Sequence, residues 1–332
     1  MNILILMPES HRRSIFSPQA WEELHELGDV VVAASADDHA DPSVRAALGV
    51  AEVVVTGTGT ALLTEADLDA APRLRLLVHA AGSLRPVIGE YGYERGLVLA
   101  AHAGENAVPV AEYTVAMMLL ELKGVRRAEQ LYRRRRGAID VDGLLEQAGN
   151  HRRRIGIVSA SRIGRRVIEL LRCTDHTIQL YDPLLQPAEA SALGAIPVDL
   201  DALMATSDLV SIHAPLLPAT HHLIDRRRLG LLKDGAILVN TARGAIVDQQ
   251  ALVDELVSGR IRAVVDVTEP EVPEPESPLW DLENLVLTPH VAGSRGLELR
   301  RIGEAVVGDI AAHRAGVPLA SAVPRERYAA NA

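Results

Sequence analysis

Short apolar runs alternate with amphipathic stretches along the whole chain. Residues 2–7, 30–34, 52–55 and 74–79 read as strands, each bounded by polar or turn-forming residues. The stretches between them have helical spacing. The first is opened by Ser17-Pro18, an N-cap followed by proline at the first helical position. Strands alternating with helices predict a parallel sheet with helical crossovers. The rhythm changes near residues 100–104. Asn106 then precedes a long apolar stretch, 108–122, with Pro109 in its first turn. Its apolar character extends most of the way round, which predicts a helix covered by a second domain or subunit. An Arg-rich, Gly-punctuated stretch runs on to Asn150. A second alternating set follows at 155–159, 178–181, 209–213, 236–240, 263–267 and 285–288. Six strands with intervening helices is the strand count of a full dinucleotide-binding domain. The last helix, roughly 295–315, has no strand after it and is expected to return to the first domain. Residues 320–332 read as a loose tail.

Composition narrows this picture. A chain of 332 residues is comfortable for two domains, and with 48% hydrophobic but only 3% aromatic residues its core must be aliphatic. Such a core suits parallel strands covered on both faces. A net charge of −10 argues against nucleic acid or an anionic membrane as partner. Only Lys123 and Lys233 are lysines, and the Arg clusters at 133–136, 152–154 and 226–228 read as solvated faces without interleaved aromatics. Cys173 stands alone, so no intramolecular disulfide can form, and it is expected to pack as a small apolar residue near a helix end. The apolar start is too short for a signal segment, and no run reaches the length of a membrane span. The expected setting is the cytosol.

Three residues then carry candidate chemistry. Arg243 lies in Asn240-Thr241-Ala242-Arg243-Gly244, Glu271 follows Asp266-Val267-Thr268-Glu269-Pro270, and His290 closes Thr288-Pro289-His290. Each follows an apolar strand, where an open α/β sheet places its working side chains. A guanidinium, a carboxylate and an imidazole are the groups needed to hold a 2-oxo acid and protonate its carbonyl. Singly, each has a dull explanation, since the chain has 12 histidines and Glu271 sits in an exposed Pro/Glu-rich loop. His102, His221 and His222 read as surface or linker residues. No His/Cys/Asp cluster shows ligand spacing in the sequence, so no metal is expected.

The stretch Ile155 to Arg165 occupies the strand–turn–helix position of a dinucleotide fingerprint. Of the three glycines in G-x-G-x-x-G only the last, Gly164, is present; Ser159 and Ser161 replace the others. A left-handed backbone would cost a serine roughly 1–2 kcal/mol. Restoring glycine at both positions is therefore expected to tighten cofactor binding. A serine hydroxyl can also donate to a phosphate, and the helix N-terminus keeps its free N–H groups and positive dipole end. Asp182 ends the next strand, where a carboxylate accepts from the adenine ribose hydroxyls and repels a 2′-phosphate. With no arginine at 183–187, NAD(H) is expected over NADP(H).

At this point the chain resembles the D-2-hydroxyacid dehydrogenase family over nearly its whole length. The resemblance rests on Ala80-Ala81-Gly82-Ser83, Asn106 to Glu112, His213-Ala214-Pro215 with Thr220, and Leu232-Lys233-Asp234-Gly235. Asn240 to Gly244, Asp266 to Glu271, Pro278-Leu279-Trp280 and Thr288 to Gly293 complete it. It implies an α/β fold of two domains with parallel sheets flanked by helices. One is a flavodoxin-like substrate domain (1–102 and 295–332) and the other a Rossmann dinucleotide-binding domain (103–294), with the active site in the cleft. The implied reaction is NADH-dependent reduction of a 2-oxo acid to a D-2-hydroxy acid, in a homodimer. Arg243 then grips the substrate carboxylate, His290 is the acid/base, and Glu271 orients the ring and favours the imidazolium. The backbone of Ala81, Gly82 and Ser83, with Asn106, is implied to bind substrate. Ser161, Arg162, Ile163, Asp182, His213, Pro215, Thr220, Thr241, Ala242, Asp266 and Gly293 are implied to contact the cofactor, Asp266 at the nicotinamide amide.

The chain departs from the family pattern at Ser159 and Ser161, and at Val272, where proline commonly follows the glutamate. A second reading is a non-catalytic nucleotide-binding protein on the same scaffold, supported only by the two serines. Formate-type chemistry is disfavoured because the corresponding enzymes pair the histidine with glutamine. A phosphoglycerate dehydrogenase with a regulatory C-terminal domain is disfavoured because the chain stops soon after its last helix. Leu84, Arg85 and Trp280 are expected near the substrate's side chain.

Overall fold

The computed structural model describes residues 1–328 and divides into two compact units, Met1–Asn106 with Ser294–Ala332, and Ala107–Gly293. In the first unit β1 (Asn2–Leu6), β2 (Asp29–Val32), β3 (Val53–Thr56), β4 (Leu76–His79) and β5 (Val98–Ala101) form one parallel sheet in the order β2-β1-β3-β4-β5. This is the flavodoxin-like order, reversing between β1 and β3. The strands lack polar alternation because both faces are covered. Ile3, Ile5, Val53, Val55, Leu76 and Val78 share one apolar cluster with Ile302, Val306 and Ile310 of the helix Leu299–Arg314. Leu4, Leu6, Val54, Leu77 and Leu99 pack on the opposite face against Val44 and Leu48. The period of two along each strand thus feeds two cores, and the last helix completes one of them.

Two expectations about secondary structure fail in this unit. No strand was expected at 98–101, where the apolar run merges with the residues that open the next helix. The supposed tail is also ordered through Tyr328. Val323 is buried and its N–H donates to Leu99 O at 2.8 Å, while Ala322 bridges Ala100 in antiparallel sense. Tyr328 Oη donates to Ile88 O at 2.6 Å. The segment therefore covers the edge of β5, whose unpaired backbone groups would otherwise face solvent. Residues 329–332 lie outside the described residues.

The second unit holds β6 (Arg154–Val158), β7 (Thr177–Tyr181), β8 (Ile196–Pro197), β9 (Leu209–Ile212), β10 (Ile237–Asn240), β11 (Arg262–Val265) and β12 (Leu285–Leu287). All pair in parallel, in the order β12-β11-β10-β9-β6-β7-β8. The order reverses between β6 and β9, the switch point at which a doubly wound sheet binds its ligand. Six strands were expected; β8, two exposed residues at the edge, leaves no readable pattern.

The helix expected at 108–122 spans Ala103–Lys123, with Pro109 inside it and not in the first turn. Proline removes one N–H from the helical ladder there. Ala111, Thr114, Met118 and Leu122 are buried, yet Glu112, Ala116 and Leu120 leave one exposed stripe at i, i+4 spacing. Cys173 does lie at a helix end, but it is exposed, with its Sγ 3.2 Å from Leu170 O. The Arg226–Arg228 cluster is an ion-paired face: Arg227 forks onto Asp201 at 2.7 and 2.9 Å, and Arg226 pairs with Asp254. Among the described residues no helix is long and apolar enough to cross a membrane.

Candidate active site

Three loops leave the same edge of the second sheet, after β10, β11 and β12, and each carries one of the candidate residues. Asn240, buried at the end of β10, shapes the first: its Oδ1 accepts from Ala242 N (3.1 Å) and its Nδ2 donates to Arg243 O (2.9 Å). Arg243 is exposed and its Nη1 donates to Ala242 O at 2.7 Å. Gly244 follows because nothing larger fits. A Cβ there would lie 2.2 Å from the carbonyl carbon of Thr268, so glycine lets the loop after β10 pack on the loop after β11. That second loop is fixed by Thr268 Oγ1 donating to Glu271 O (2.9 Å) and by Glu269 N donating to Gln249 Oε1 (2.8 Å).

Glu271 and His290 meet. His290 Nδ1 lies 2.5 Å from Glu271 Oε1, with the two side chains 43% and 60% exposed, so the pair is both formed and accessible. His290 has φ +52°, a left-handed conformation that a non-glycine residue holds only when its surroundings enforce it. The enforcing group is Asp266, 1% exposed. Its Oδ1 accepts from Thr288 Oγ1 (2.5 Å) and Val291 N (2.9 Å), its Oδ2 accepts from Ala292 N (2.9 Å), and its carbonyl accepts from His290 N (2.9 Å). Three bonds accepted by the Asp266 carboxylate, a group expected at the nicotinamide, hold the turn that presents the histidine. Tyr113 Oη lies 2.9 Å from Thr288 Oγ1, and burial raises the phenol's pKa.

At the fingerprint the two serines differ. Ser159 has φ +79°, so the left-handed demand falls on it. Ser161 has φ −60° and is an N-cap whose Oγ accepts from Gly164 N at 3.2 Å; no strain attaches to it. The expectation that both serines are defects is therefore corrected to one. Gly164 is required, since a Cβ there would sit 2.1 Å from Ser159 O. Asp182 Oδ2 accepts from Ala160 N (2.8 Å) and Ser159 Oγ (3.2 Å), and Oδ1 accepts from Leu184 N (2.9 Å). Arg162 and Ile163 head the helix Arg162–Leu171.

The remaining expected cofactor residues are buried or half-buried. His213 is buried with Nε2 2.9 Å from Ser211 Oγ, and burial pushes its pKa down to about 3. Thr220 Oγ1 donates to Pro215 O (2.6 Å) and accepts from Leu217 N (2.8 Å), closing the turn Pro218–Thr220. Thr241 Oγ1 lies 2.9 Å from Thr114 Oγ1, Ala242 is buried, and Gly293 is half-buried.

In the first unit the Ala81 amide donates to His79 O (2.8 Å), which commits one of the three amides expected to bind substrate. Gly82 and Ser83 are half-buried; Asn106 Oδ1 accepts from Ser294 N at 2.8 Å. Leu84 is fully buried in the core and does not face a substrate pocket, whereas Arg85 and Trp280 are exposed. His102, expected as a surface or linker residue, is fully buried: Nδ1 is 3.4 Å from Glu105 and Nε2 3.6 Å from Asp309, whose carboxyl burial raises in pKa and which accepts from Ser321. The expected absence of a metal-spaced cluster also needs correction. His221, His222 and Glu269 each bring a ligand atom within 4.8 Å of the others. Their 47-residue separation hides this in the sequence.

Comparison with known proteins agrees with the fold and the loops. Residues 115–292 match the model of the D-isomer specific 2-hydroxyacid dehydrogenase NAD binding domain. The chain is 32% identical over 266 residues to hydroxypyruvate reductase of Thermotoga maritima, covering 78% of this chain and 84% of that protein. It is 30% identical over 273 residues to D-3-phosphoglycerate dehydrogenase of Archaeoglobus fulgidus, covering 82% of this chain but 51% of that one. The chain thus spans about half the length of the phosphoglycerate dehydrogenases it matches. Among solved structures, D-lactate dehydrogenase from Aquifex aeolicus, complexed with NAD and lactic acid, superimposes with a TM-score of 0.68 at 26% identity, over 95% of each chain. The chain belongs to the D-isomer specific 2-hydroxyacid dehydrogenase family and carries its NAD binding domain.

Proposed function

We propose that the protein catalyses reversible, NAD(H)-dependent reduction of a 2-oxo acid to a D-2-hydroxy acid. The observation that carries this reading is the His290–Glu271 pair, held at 2.5 Å on a loop that forces His290 into a left-handed conformation. A glutamate accepting from Nδ1 fixes the ring and its tautomer, and Nε2 is assigned the proton exchange with the carbonyl oxygen. Arg243 offers a planar fork that matches a carboxylate. The substrate-binding roles of Ala81, Gly82, Ser83 and Asn106 belong to the same proposal.

The fingerprint residues fit NAD(H). Ser161 occupies the amide of Gly164, so the amides of Arg162 and Ile163 at the head of the helix are assigned to the pyrophosphate. A carboxylate has about four acceptor sites. Asp182 uses two on Ser159 and Ala160 of the turn after β6 and one on Leu184 of its own turn, and the remaining one on Oδ1 suits a ribose hydroxyl. When bound, NADH supplies the hydride to C2 of the substrate.

Replacing His290 by Ala should lower turnover by about 10²–10⁴-fold, the usual worth of a positioned general acid. NADH affinity, followed by fluorescence titration, should persist. The assay is NADH oxidation against a panel that includes glyoxylate, hydroxypyruvate and pyruvate. Unchanged turnover in the variant, or no turnover of any 2-oxo acid by the parent, would sink the assignment.

A further inference from the structure

We propose that His221, His222 and Glu269 form a binding site for a divalent transition-metal ion of the zinc class. One imidazole nitrogen from each histidine and one carboxylate oxygen lie within 4.8 Å of one another. His222 Nε2 and Glu269 Oε2 are 3.7 Å apart, beyond a hydrogen bond but close to the separation of about 3.4 Å between ligands on a tetrahedral zinc. The two imidazole rings are stacked, with centroids 4.0 Å apart and planes 29° apart, so one ring must swing out of the stack for both nitrogens to face one ion, and their exposure leaves room for that. Two imidazoles and one carboxylate are borderline ligands that suit zinc and its neighbours better than magnesium or calcium. All three side chains are exposed, which leaves further coordination positions to water.

The frame behind the ligands is firm. His222 takes φ +49° while its N–H donates to Ala245 O at 2.8 Å, and two residues on, Ile224 bridges Val247. The backbone of Glu269 is tied to Gln249. Glu269 stands two residues before Glu271, and Ala245 follows Gly244. A bound ion would therefore cross-link the 221–222 segment to the loop that carries Glu271, and would stiffen it.

The site is independent of the proposed reaction, and its test needs neither cofactor nor substrate. Zinc ion is titrated calorimetrically into the chelator-treated full chain, and cobalt(II) is added in parallel to read the coordination from its visible absorption. One equivalent should bind. His222→Ala and Glu269→Gln should each weaken binding by at least about tenfold, as losing a group from a metal site's shell does. His151→Ala, at an exposed histidine paired with Asp175, should change nothing. Circular dichroism checks that each variant is folded. No binding to the parent protein, or equal affinity in all variants, would overturn the proposal.

Discussion

Ser159 holds a backbone conformation that glycine adopts at no steric cost, and it is the residue where this chain departs most sharply from a dinucleotide fingerprint. Its φ of +79° costs roughly 1–2 kcal/mol for an L-residue. The Oγ bond to Asp182 at 3.2 Å returns on the order of 1 kcal/mol. Ser159→Gly should therefore leave stability unchanged or raise it by up to about 1 kcal/mol. Ser161→Ala should lower it by about 1 kcal/mol through loss of the N-cap. Urea unfolding midpoints separate the two. In NADH titrations Ser159→Gly should tighten binding and Ser161→Gly should not. Equal tightening by both would show that the strain is not confined to Ser159. The sequence flags the two serines alike, because residue type says nothing about which of them the turn drives to positive φ.

At the scale of elements, legibility followed burial. Strands such as β3, buried on both faces, are plain as apolar runs. β8 is too short to have a period, and β5 runs straight into the helix Ala103–Lys123, so neither stands out. The three loops after β10, β11 and β12 are recognisable from local motifs in order. Which side chains meet across them depends on strand order, and a linear pattern does not contain it. That is why the resemblance reached the His290–Glu271 pair, while the His221–His222–Glu269 group and the burial of His102 were missed. Asp266 shows the difference in role. Its carboxylate joins the end of β11 to the turn after β12, accepting from Thr288, Val291 and Ala292. Asp266→Ala would strand these donors, at about 1–3 kcal/mol for each one left buried and unpaired. Amide exchange at Val291 and Ala292 should accelerate, and turnover should fall because His290 loses its support. Unaltered protection of those two amides would mean that the turn holds without Asp266.

Across the whole molecule, the aliphatic composition produces two sheets with apolar cores, and each sheet has buried a histidine. His79 lies 2.9 Å from Thr56 Oγ1 in the first unit and His213 lies 2.9 Å from Ser211 Oγ in the second. Burial pushes both pKa values down to about 3. The unfolded chain protonates these rings near pH 6.5, so between about 6.5 and 3 it binds more protons than the folded protein. Stability is then fully present above about 6.5 and falls as the pH drops, by about 1.4 kcal/mol per pH unit for each histidine. Glu121 and Asp309, whose pKa values burial raises, act in the opposite sense, with stability lost as pH rises through their folded values. Single variants isolate the histidine contribution from this background. His213→Asn keeps a polar side chain beside Ser211 but does not titrate, and His79→Asn does the same beside Thr56. Denaturant unfolding at pH 7 and pH 5 should show a smaller acid loss in either variant than in the parent protein. Parallel losses in all three would show that these rings are not held neutral by burial, and acid sensitivity would have to come from other groups.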